Sequence, residues 1–417
     1  MSKKVYAAIE LADQEVRLVV MEIFESRSNV LRVERVACSG IQNGKILDES
    51  MVVTAVREAT KSAQAALGYR IERVILIIPS INVKRNSQKV HVQIEDGTKT
   101  IRQFHIQQGY QKAIQKRMGD DVEYVNPNRI TYIVNGNESK KMPKGEECTD
   151  FYMNVDLLYG DKQTIYEFAK CIELANLEIL DLCLDVYASG QETAALQQSE
   201  DRAIVQLSIE AQHTSLGLFM NEKLMSVAQI DKGFNWIIEP LKEKYNLSDE
   251  IGYRLLQNIF SSREEENSDV IVYIEQKEDD RVEISAEELA KVTLPRLKEY
   301  IAEINTACEP IVRNGKTRFV MTGKGSNIAV LKELADSFCA ETIVYETSTI
   351  GARDGSFVAD LGAAFVWQDT NRIRNDERIS VNNNELEASI DSINQKSKDG
   401  DGGFTKKMKS VILADKD

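Results

Sequence analysis

Two stretches of the sequence, about two hundred residues apart, share one order of apolar and polar residues. In residues 202–233, two runs with apolar residues at alternate positions flank a short polar segment, and a third apolar run ends at Gly233. Residues 5–40 repeat this order and end at Gly40. Alternation with a period of two on both sides of a polar segment predicts two strands joined by a turn, with one buried face. The repetition predicts a duplicated α/β core with a site between its two halves.

The chain has 417 residues, 42% of them apolar, which is enough to bury the cores of two or more domains. Its formal net charge of −14 argues against a general nucleic-acid-binding protein, because such a protein needs a basic surface. The six cysteines show no C-x-x-C spacing and the chain has three histidines, so we predict neither a metal site nor a His-dependent catalytic residue. No run of eighteen apolar residues occurs, so we predict no membrane-spanning helix.

The order of the apolar patterns divides the chain into five parts. They are residues 1–80 and 162–200 for the first half of the core, 81–161 for a small inserted α+β domain, 201–369 for the second half with a helical subdomain near 237–305, 370–401 for a disordered linker, and 402–417 for a C-terminal amphipathic helix. The linker is predicted because Asn, Asp, Glu, Ser and Lys dominate from residue 370 onward.

Three elements of the core are predicted in more detail. Apolar residues at helical spacing predict a helix at Glu49–Leu67 with Gly68 as its C-cap. A continuous apolar run at residues 73–80 predicts a central strand that is buried on both faces. Residues 355–367 predict a final helix in which Gly362 packs closely against the sheet.

The C-terminal segment 402–417 is short but patterned. At 100° per residue Phe404, Met408, Val411 and Ile412 share one face, and lysines lie opposite or beside them. We predict that it binds a membrane surface through Phe404, Lys406, Lys407, Met408, Lys409, Val411 and Ile412. Burial of the four apolar side chains would contribute roughly 4–8 kcal/mol before ordering costs, which is marginal for a single copy. On periodicity alone, a frayed tail fits the segment equally well.

Several pieces of the sequence, taken in order, resemble the bacterial cell-division protein FtsA, an actin-like family, over nearly the whole chain. They are the first hairpin, the turn Gly40-Ile-Gln-Asn-Gly-Lys-Ile, the small inserted domain, Leu184-Asp-Val-Tyr-Ala-Ser before the second hairpin, the loop Met321-Thr-Gly-Lys-Gly-Ser-Asn, and a linker that ends in an amphipathic helix. The resemblance implies an actin-like duplicated α/β fold with a small α+β domain inserted in the first half.

In such a family nucleotide binds between the two hairpin turns, where glycines bring backbone N–H groups to the phosphates and acidic residues hold a metal ion. This chain departs from that pattern at both turns. The departures are Ala12, Asp13 and Glu15 at the first turn, and Ser208, Glu210, Ala211 and Gln212 at the second. Without glycine the backbone cannot easily form the tight turn with positive φ. A carboxylate about 4 Å from a phosphate also costs on the order of 1–4 kcal/mol.

The resemblance implies Mg-ATP as the cofactor, and the departures predict that its binding is weakened or lost, with little or no hydrolysis and no catalytic residue. Five positions remain as nucleotide-binding candidates: Glu10, Gly233, Gly323, Gly325 and Ser326. Glu10 could still hold a metal ion that screens the phosphates. The two glycines of the 323–326 loop fit an ordinary strand-to-helix turn equally well. His213 is predicted to be a hydrogen-bonded turn residue rather than a catalytic base.

The resemblance also implies partners. These are the C-terminal tail of the tubulin-like protein FtsZ, other copies of the chain in filaments, a membrane surface with anionic lipids, and other division proteins, at the cytoplasmic face of the cell membrane and the division site. Lys291, Arg296 and Lys298 are candidates for pairing with an acidic FtsZ tail, although a solvated helix face explains them as well. Two alternatives stay open: a working actin-like ATPase, and a PilM-like scaffold of pilus or secretion assembly.

Overall fold

The computed structural model describes residues 4–24, 27–116, 118–257, 269–277, 280–382, 384–386 and 388. The strands are β1 (Lys4–Ala12), β2 (Glu15–Phe24), β3 (Arg27–Ala37), β4 (Ile41–Gln42), β5 (Lys45–Ile46), β6 (Arg73–Ile78), β7 (Lys84–Gln93), β8 (Val122–Val134), β9 (Asn137–Ser139), β10 (Asp150–Asp161), β11 (Glu178–Leu184), β12 (Ala203–Ile209), β13 (Thr214–Met220), β14 (Lys223–Ile230), β15 (Ile271–Lys277), β16 (Asp280–Ser285), β17 (Thr317–Thr322) and β18 (Glu341–Val344). The helices are α1 (Glu49–Leu67), α2 (Gln103–Ile114), α3 (Lys162–Leu174), α4 (Asp185–Glu192), α5 (Ala195–Gln198), α6 (Phe234–Tyr245), α7 (Asp249–Gln257), α8 (Ala286–Arg313), α9 (Ala329–Glu333) and α10 (Val358–Arg374).

The two halves of the core are five-stranded sheets with the same plan. The first sheet has the order β11-β6-β1-β2-β3 and the second has the order β18-β17-β12-β13-β14. In each sheet the opening hairpin and its third strand are antiparallel, and the two later strands run parallel to the first strand of the hairpin. The duplicated α/β core predicted from the two alternating stretches is therefore confirmed.

Two of the detailed predictions are confirmed as well. Helix α1 spans Glu49–Leu67, and Gly68 ends it in the left-handed conformation with φ 80°. Asp48 caps its other end by accepting from the backbone N–H groups of Ser50 and Met51. Strand β6 lies between β1 and β11, and Val74–Ile78 are all buried, as expected for a parallel strand covered on both faces.

A separate antiparallel sheet, with the order β7-β10-β8-β9, lies within the first half of the chain. Helix α2 packs against it, and together they bury a cluster that includes Ile106, Tyr110, Phe151 and Met153. Strands β8 and β10 are long, with 13 and 12 residues, and β10 shows register shifts against β8 at two places. Helices α6, α7 and α8 accompany the second sheet and share its apolar cluster.

Gly362 packs closely, but against a helix. A Cβ at Gly362 in α10 would lie 1.8 Å from the backbone oxygen of Ala188 in α4. Helix α4 in turn contacts the second sheet, since a Cβ at Gly190 would lie 2.3 Å from the ring of Phe219 on β13. The prediction that Gly362 packs against the sheet is therefore wrong in its partner, because α4 lies between α10 and that sheet.

The predicted disordered linker is wrong over its first residues. Helix α10 continues to Arg374, and Ile379, Val381 and Leu386 are buried in the first core. The backbone N–H of Ala7 in β1 donates to Ser380 Oγ at 2.8 Å. A few well-spaced apolar residues suffice for this packing, and the average composition of the segment does not reveal them. Residues 389–401 and the predicted helix 402–417, with its seven membrane-binding candidates, lie outside the described residues. In the described ranges, no helix is both long and apolar enough to cross a membrane.

Candidate functional site

The turns of the two opening hairpins meet in a cleft between the halves. The first turn consists of Asp13 and Gln14, and the second is the loop 210–213 between β12 and β13. Asp13 Oδ2 lies 3.0 Å from Nδ1 of His213, and both residues are buried. Gln14 Nε2 donates to Asp249 Oδ2 at 2.6 Å. His213 is thus a hydrogen-bonded turn residue, as predicted, and the polar turn side chains are bound across the cleft.

Arg17 on β2 is the centre of the site. Its side chain is 1% exposed, and all three of its guanidinium nitrogens donate to carboxylates. Nε donates to Glu15 at 2.6 Å, Nη1 to Glu10 at 2.9 Å and Nη2 to Glu210 at 2.8 Å. Nη1 also donates to the backbone oxygen of Ser356 at 3.0 Å. Burial lowers the pKa of Arg17, but the three carboxylates outweigh it and raise that pKa well above its ordinary value.

Two further cations approach Glu15 from the other side. Lys324 Nζ lies 3.0 Å from Glu15 Oε2, and Arg35 Nε lies 3.6 Å from the same oxygen. Burial raises the pKa of Glu15, whereas Arg17, Arg35 and Lys324 lower it, and the net result is a pKa of about 2. Arg35 also pairs with Asp354 at 3.0 Å. Glu15 is therefore ionised at every ordinary pH and is fully used by the cations of the chain itself.

Glu10 and Asp360 are two carboxyl groups of the site whose negative charge is poorly balanced by nearby cations and hydrogen bonds. Asp360 is fully buried at the start of α10, and neither of its carboxylate oxygens has a hydrogen-bond partner among the described residues. Burial raises the pKa of Asp360 well above its ordinary range, and the nearby Glu10 raises it further. Burial also raises the pKa of Glu10 to about 7, against the opposing effect of Arg17 and with help from Glu210 and Asp185. This pair therefore retains protons at a pH where surface carboxyls are ionised.

The raised pKa of Glu10 predicts a measurable pH dependence of stability. Between about pH 4.5 and pH 7 the folded chain holds a proton on Glu10 that the unfolded chain has lost, so the stabilisation falls as pH rises through this window. We expect the free energy of unfolding to fall by on the order of 3 kcal/mol more in the wild type than in Glu10→Gln over that range. Urea unfolding of both proteins at pH 5 and pH 7.5 measures this difference. Equal pH slopes would show that Glu10 titrates normally.

The three glycines among the predicted nucleotide-binding residues lie against residues 209–211, where β12 enters the second turn. A Cβ at Gly233 would lie 2.1 Å from the backbone oxygen of Glu210, and one at Gly323 would lie 2.7 Å from its Oε1. A Cβ at Gly325 would lie 2.3 Å from Ile209 Cγ2. Ser326 Oγ donates to the backbone oxygen of Gly323 at 2.7 Å. These glycines allow neighbouring chain segments to approach closely. Such packing fits the alternative interpretation of residues 323–326 as an ordinary strand-to-helix turn.

The site does not fit the phosphates and metal ion of Mg-ATP. The first turn has no glycine, and the carboxylates of Glu15 and Glu210 accept from the buried guanidinium of Arg17. The carboxylate of Glu10, the candidate for holding a metal ion, is paired with Arg17. Across the described part of the chain, no three His, Cys, Asp or Glu side chains converge as possible ligands of one metal ion. A phosphate would therefore meet carboxylates, and the guanidinium of Arg17, which could otherwise bind it, already pairs with those carboxylates.

The candidates for an FtsZ contact lie on α8. Lys291 and Lys298 are exposed and, being seven residues apart, share one face of the helix. Arg296 is half-buried, its guanidinium carbon lies 3.8 Å from the centre of the Trp236 ring, and its Nε donates to the Trp236 backbone oxygen at 2.8 Å. The structure therefore separates Arg296 from the two lysines and commits its side chain to an intramolecular contact.

Arg17 is the residue that the sequence reasoning missed. With the two-residue turn at Asp13 and Gln14, Arg17 lies directly opposite Glu10, and Glu15 lies on the same face. A charged residue at an inward position of an otherwise apolar strand was the available signal. Its third carboxylate, Glu210, is 193 residues away and could not be found from local pattern.

Comparison with known proteins supports the family suggested by the motifs. No sequence model of a known protein family matches the chain. The cell division protein FtsA of Staphylococcus epidermidis is 21% identical over 368 residues, which cover 86% of this chain and 77% of that protein. The cell division protein FtsA of Bacillus subtilis is 21% identical over 372 residues, which cover 87% of this chain and 83% of that protein.

Among solved structures, a chain of the PilM–PilN type IV pilus biogenesis complex superposes with a TM-score of 0.57 at 13% identity, covering 86% of this chain and 97% of that chain. That likeness concerns the fold alone, which is actin-like. Together with the relatives that match along most of the sequence and with the altered turns of the cleft, it leads to one conclusion. This chain is a divergent relative of the FtsA proteins, with an actin-like fold.

Proposed function

We propose that this chain is a cell-division scaffold of the FtsA type, which polymerises on the cytoplasmic face of the membrane at the septum and tethers FtsZ filaments there with weak or no ATP hydrolysis. The observation that carries the proposal is the similarity to a cell division protein along 86% of the chain. The occupied cleft supports a scaffold rather than an enzyme, because the side chains that would meet nucleotide already bind one another.

The last described residues support a membrane tether that starts from the first half of the core. Leu386 is buried there, and the backbone N–H of Arg70 donates to Glu385 Oε2 at 2.8 Å. From residue 388 to the amphipathic segment 402–417 there are thirteen residues, 389–401, which can span at most about 45 Å. A force on the tail would therefore act on the sheet β11-β6-β1-β2-β3 through the contacts of Ser380 and Val381.

The anchor is weak in a single copy, so membrane binding requires many copies held together. The four apolar side chains on one face of the segment would contribute roughly 4–8 kcal/mol before ordering costs, and each lysine about 1 kcal/mol near an anionic surface. Linking weak anchors in one filament makes the second and later binding events intramolecular, which raises the overall affinity without new contacts. For the FtsZ tail, the exposed face of Lys291 and Lys298 provides positive charge for an acidic peptide.

Vesicle co-sedimentation tests the proposal. Full-length protein and a version that ends at Asp401 are mixed with anionic liposomes, each with and without FtsZ from the same organism. We expect only the full-length protein to pellet and to carry FtsZ with it. The double variant Lys291→Ala and Lys298→Ala should still pellet but carry less FtsZ, whereas Lys112→Ala, which changes an exposed lysine on α2, should behave as wild type.

The outcomes separate the proposal from its rivals. Lipid binding that is independent of the tail, together with FtsZ left in the supernatant, would contradict the division scaffold and favour a PilM-like scaffold that binds a partner peptide. If the protein binds lipid through its tail but does not carry FtsZ into the pellet, the choice of FtsZ as partner is wrong. If FtsZ pellets equally with the double variant, the choice of Lys291 and Lys298 is wrong.

A further inference from the structure

Side chains of the two halves of the core are joined across the cleft by direct polar contacts. The pairs are Arg17 with Glu210, Asp13 with His213, Gln14 with Asp249, Lys324 with Glu15, and Arg35 with Asp354. In each pair the first-half residue belongs to one of the strands β2 and β3 or the turn before β2, and its partner comes from residues 210–354 of the chain. The cleft is therefore bridged from its centre to its rim without any added molecule.

The chemistry at the centre is that of a ligand held between two lobes. The guanidinium of Arg17 bridges Glu10 and Glu15 of its own hairpin to Glu210 of the other hairpin and to the backbone oxygen of Ser356. Glu210 is itself held in place, since its backbone oxygen accepts from Phe234 N–H and its Oε1 lies 3.4 Å from Lys324 N. A planar cation with several fixed donors can hold such carboxylates in one geometry, which a hydrated point charge cannot.

We propose that Arg17 is an internal ligand that takes the place of a bound metal–nucleotide complex and keeps the two halves closed, so that closure of this chain does not depend on nucleotide. The disagreement between the site and Mg-ATP follows from this arrangement. Any phosphate entering the cleft would have to displace Glu210 from Arg17 and leave that carboxylate without its cation. The inference does not rest on the proposed division role, because it concerns only the contacts between the two halves.

Two isosteric variants test the role of the bridge. Glu210→Gln removes a carboxylate 2.8 Å from Arg17 across the cleft, and Glu10→Gln removes one 2.9 Å from Arg17 within the same hairpin. Hydrogen exchange of the full chain is followed by mass spectrometry in peptides that cover residues 13–17 and 210–214, with peptides of β6 and β17 as internal controls for folding. We expect Glu210→Gln to speed exchange on the order of tenfold at both turns and not in the control strands, and Glu10→Gln to leave the turns unchanged.

The wild-type protein provides a second, independent arm. Exchange at the turns and the radius of gyration from small-angle scattering are measured with and without millimolar Mg-ATP, together with the melting temperature. We expect no change in any of the three, since binding to the folded state would have to raise the melting temperature.

Three results would overturn the proposal. One is a wild-type protein that compacts or melts later with Mg-ATP, which would also favour the working ATPase. Another is equal exchange in Glu210→Gln and Glu10→Gln. If Glu210→Gln does not fold, Gln14→Ala replaces it, because Gln14 makes a part-buried contact to Asp249 across the same cleft. The third result that would overturn the proposal is then an unchanged exchange rate at both turns in Gln14→Ala.

Discussion

Replacing Arg17 with methionine is expected to lower the free energy of unfolding by about 3–5 kcal/mol. The substitution keeps an unbranched side chain but removes the guanidinium that Glu10, Glu15 and Glu210 share. Glu15 would keep its contacts to Lys324 and Arg35, but Glu10 and Glu210 would lose the guanidinium that they contact in a poorly solvated site. Guanidinium unfolding followed by circular dichroism measures the loss. Arg32→Met is the matched control, because Arg32 pairs with Glu34 on the surface at 2.6 Å and its side chain is 42% exposed, so we expect a loss below about 1 kcal/mol.

A second variant separates unpaired charge from lost packing. Combining Arg17→Met with Gln at positions 10, 15 and 210 removes the cation and its carboxylates together, and neutral partners avoid most of the desolvation cost. We expect this quadruple variant to recover more than half of the stability lost in Arg17→Met. If Arg17→Met is as stable as Arg32→Met, the carboxylates are not bound by Arg17 in solution and the account of the cleft is wrong.

Replacing Gly362 with alanine is expected to destabilise the chain by about 3 kcal/mol, although alanine is the better helix former by about 1 kcal/mol. The new Cβ would lie 1.8 Å from Ala188 O and 2.6 Å from Ala188 C, which are backbone atoms of α4. Helix α4 cannot move away easily, since Gly190 lies directly on Phe219 of the second sheet. The two helices would therefore have to separate, and their separation would disturb the packing between the halves of the core.

Gly315→Ala is the matched control for this prediction. No atom lies within 4 Å of the position where its Cβ would stand, and its backbone does not have positive φ. We expect a change within about 0.5 kcal/mol, as is usual for substitutions at the surface. Melting temperature and denaturant unfolding of both variants measure the contrast. A Gly362→Ala protein that is more stable than wild type would show that helix propensity dominates and that α4 and α10 are further apart.

Local pattern was sufficient for much of the fold. The alternation in residues 5–40 and 202–233 predicts both hairpins, and the spacing and glycine at the end of α1 predict its bounds. These features depend on residues within a few positions of one another, because the pleat of a strand and the turn of a helix repeat over short distances. The absence of glycine from the two turns can likewise be seen from residues within a few positions of one another. From the sequence by itself, the duplicated α/β plan and the absence of glycine from the two turns were therefore determined.

Only the tertiary structure decided what fills the altered cleft and what surrounds Gly362. Arg17 and Glu210 are 193 residues apart, and the energy of their pairing depends on burial and on distances of 2.8 Å that no local pattern encodes. The packing of Ile379, Val381 and Leu386 in the first core likewise depends on a surface contributed by distant segments, so the low apolar content of this part of the chain predicted disorder where these residues are packed. Periodicity is a property of neighbours in sequence, whereas desolvation and close packing are properties of neighbours in space.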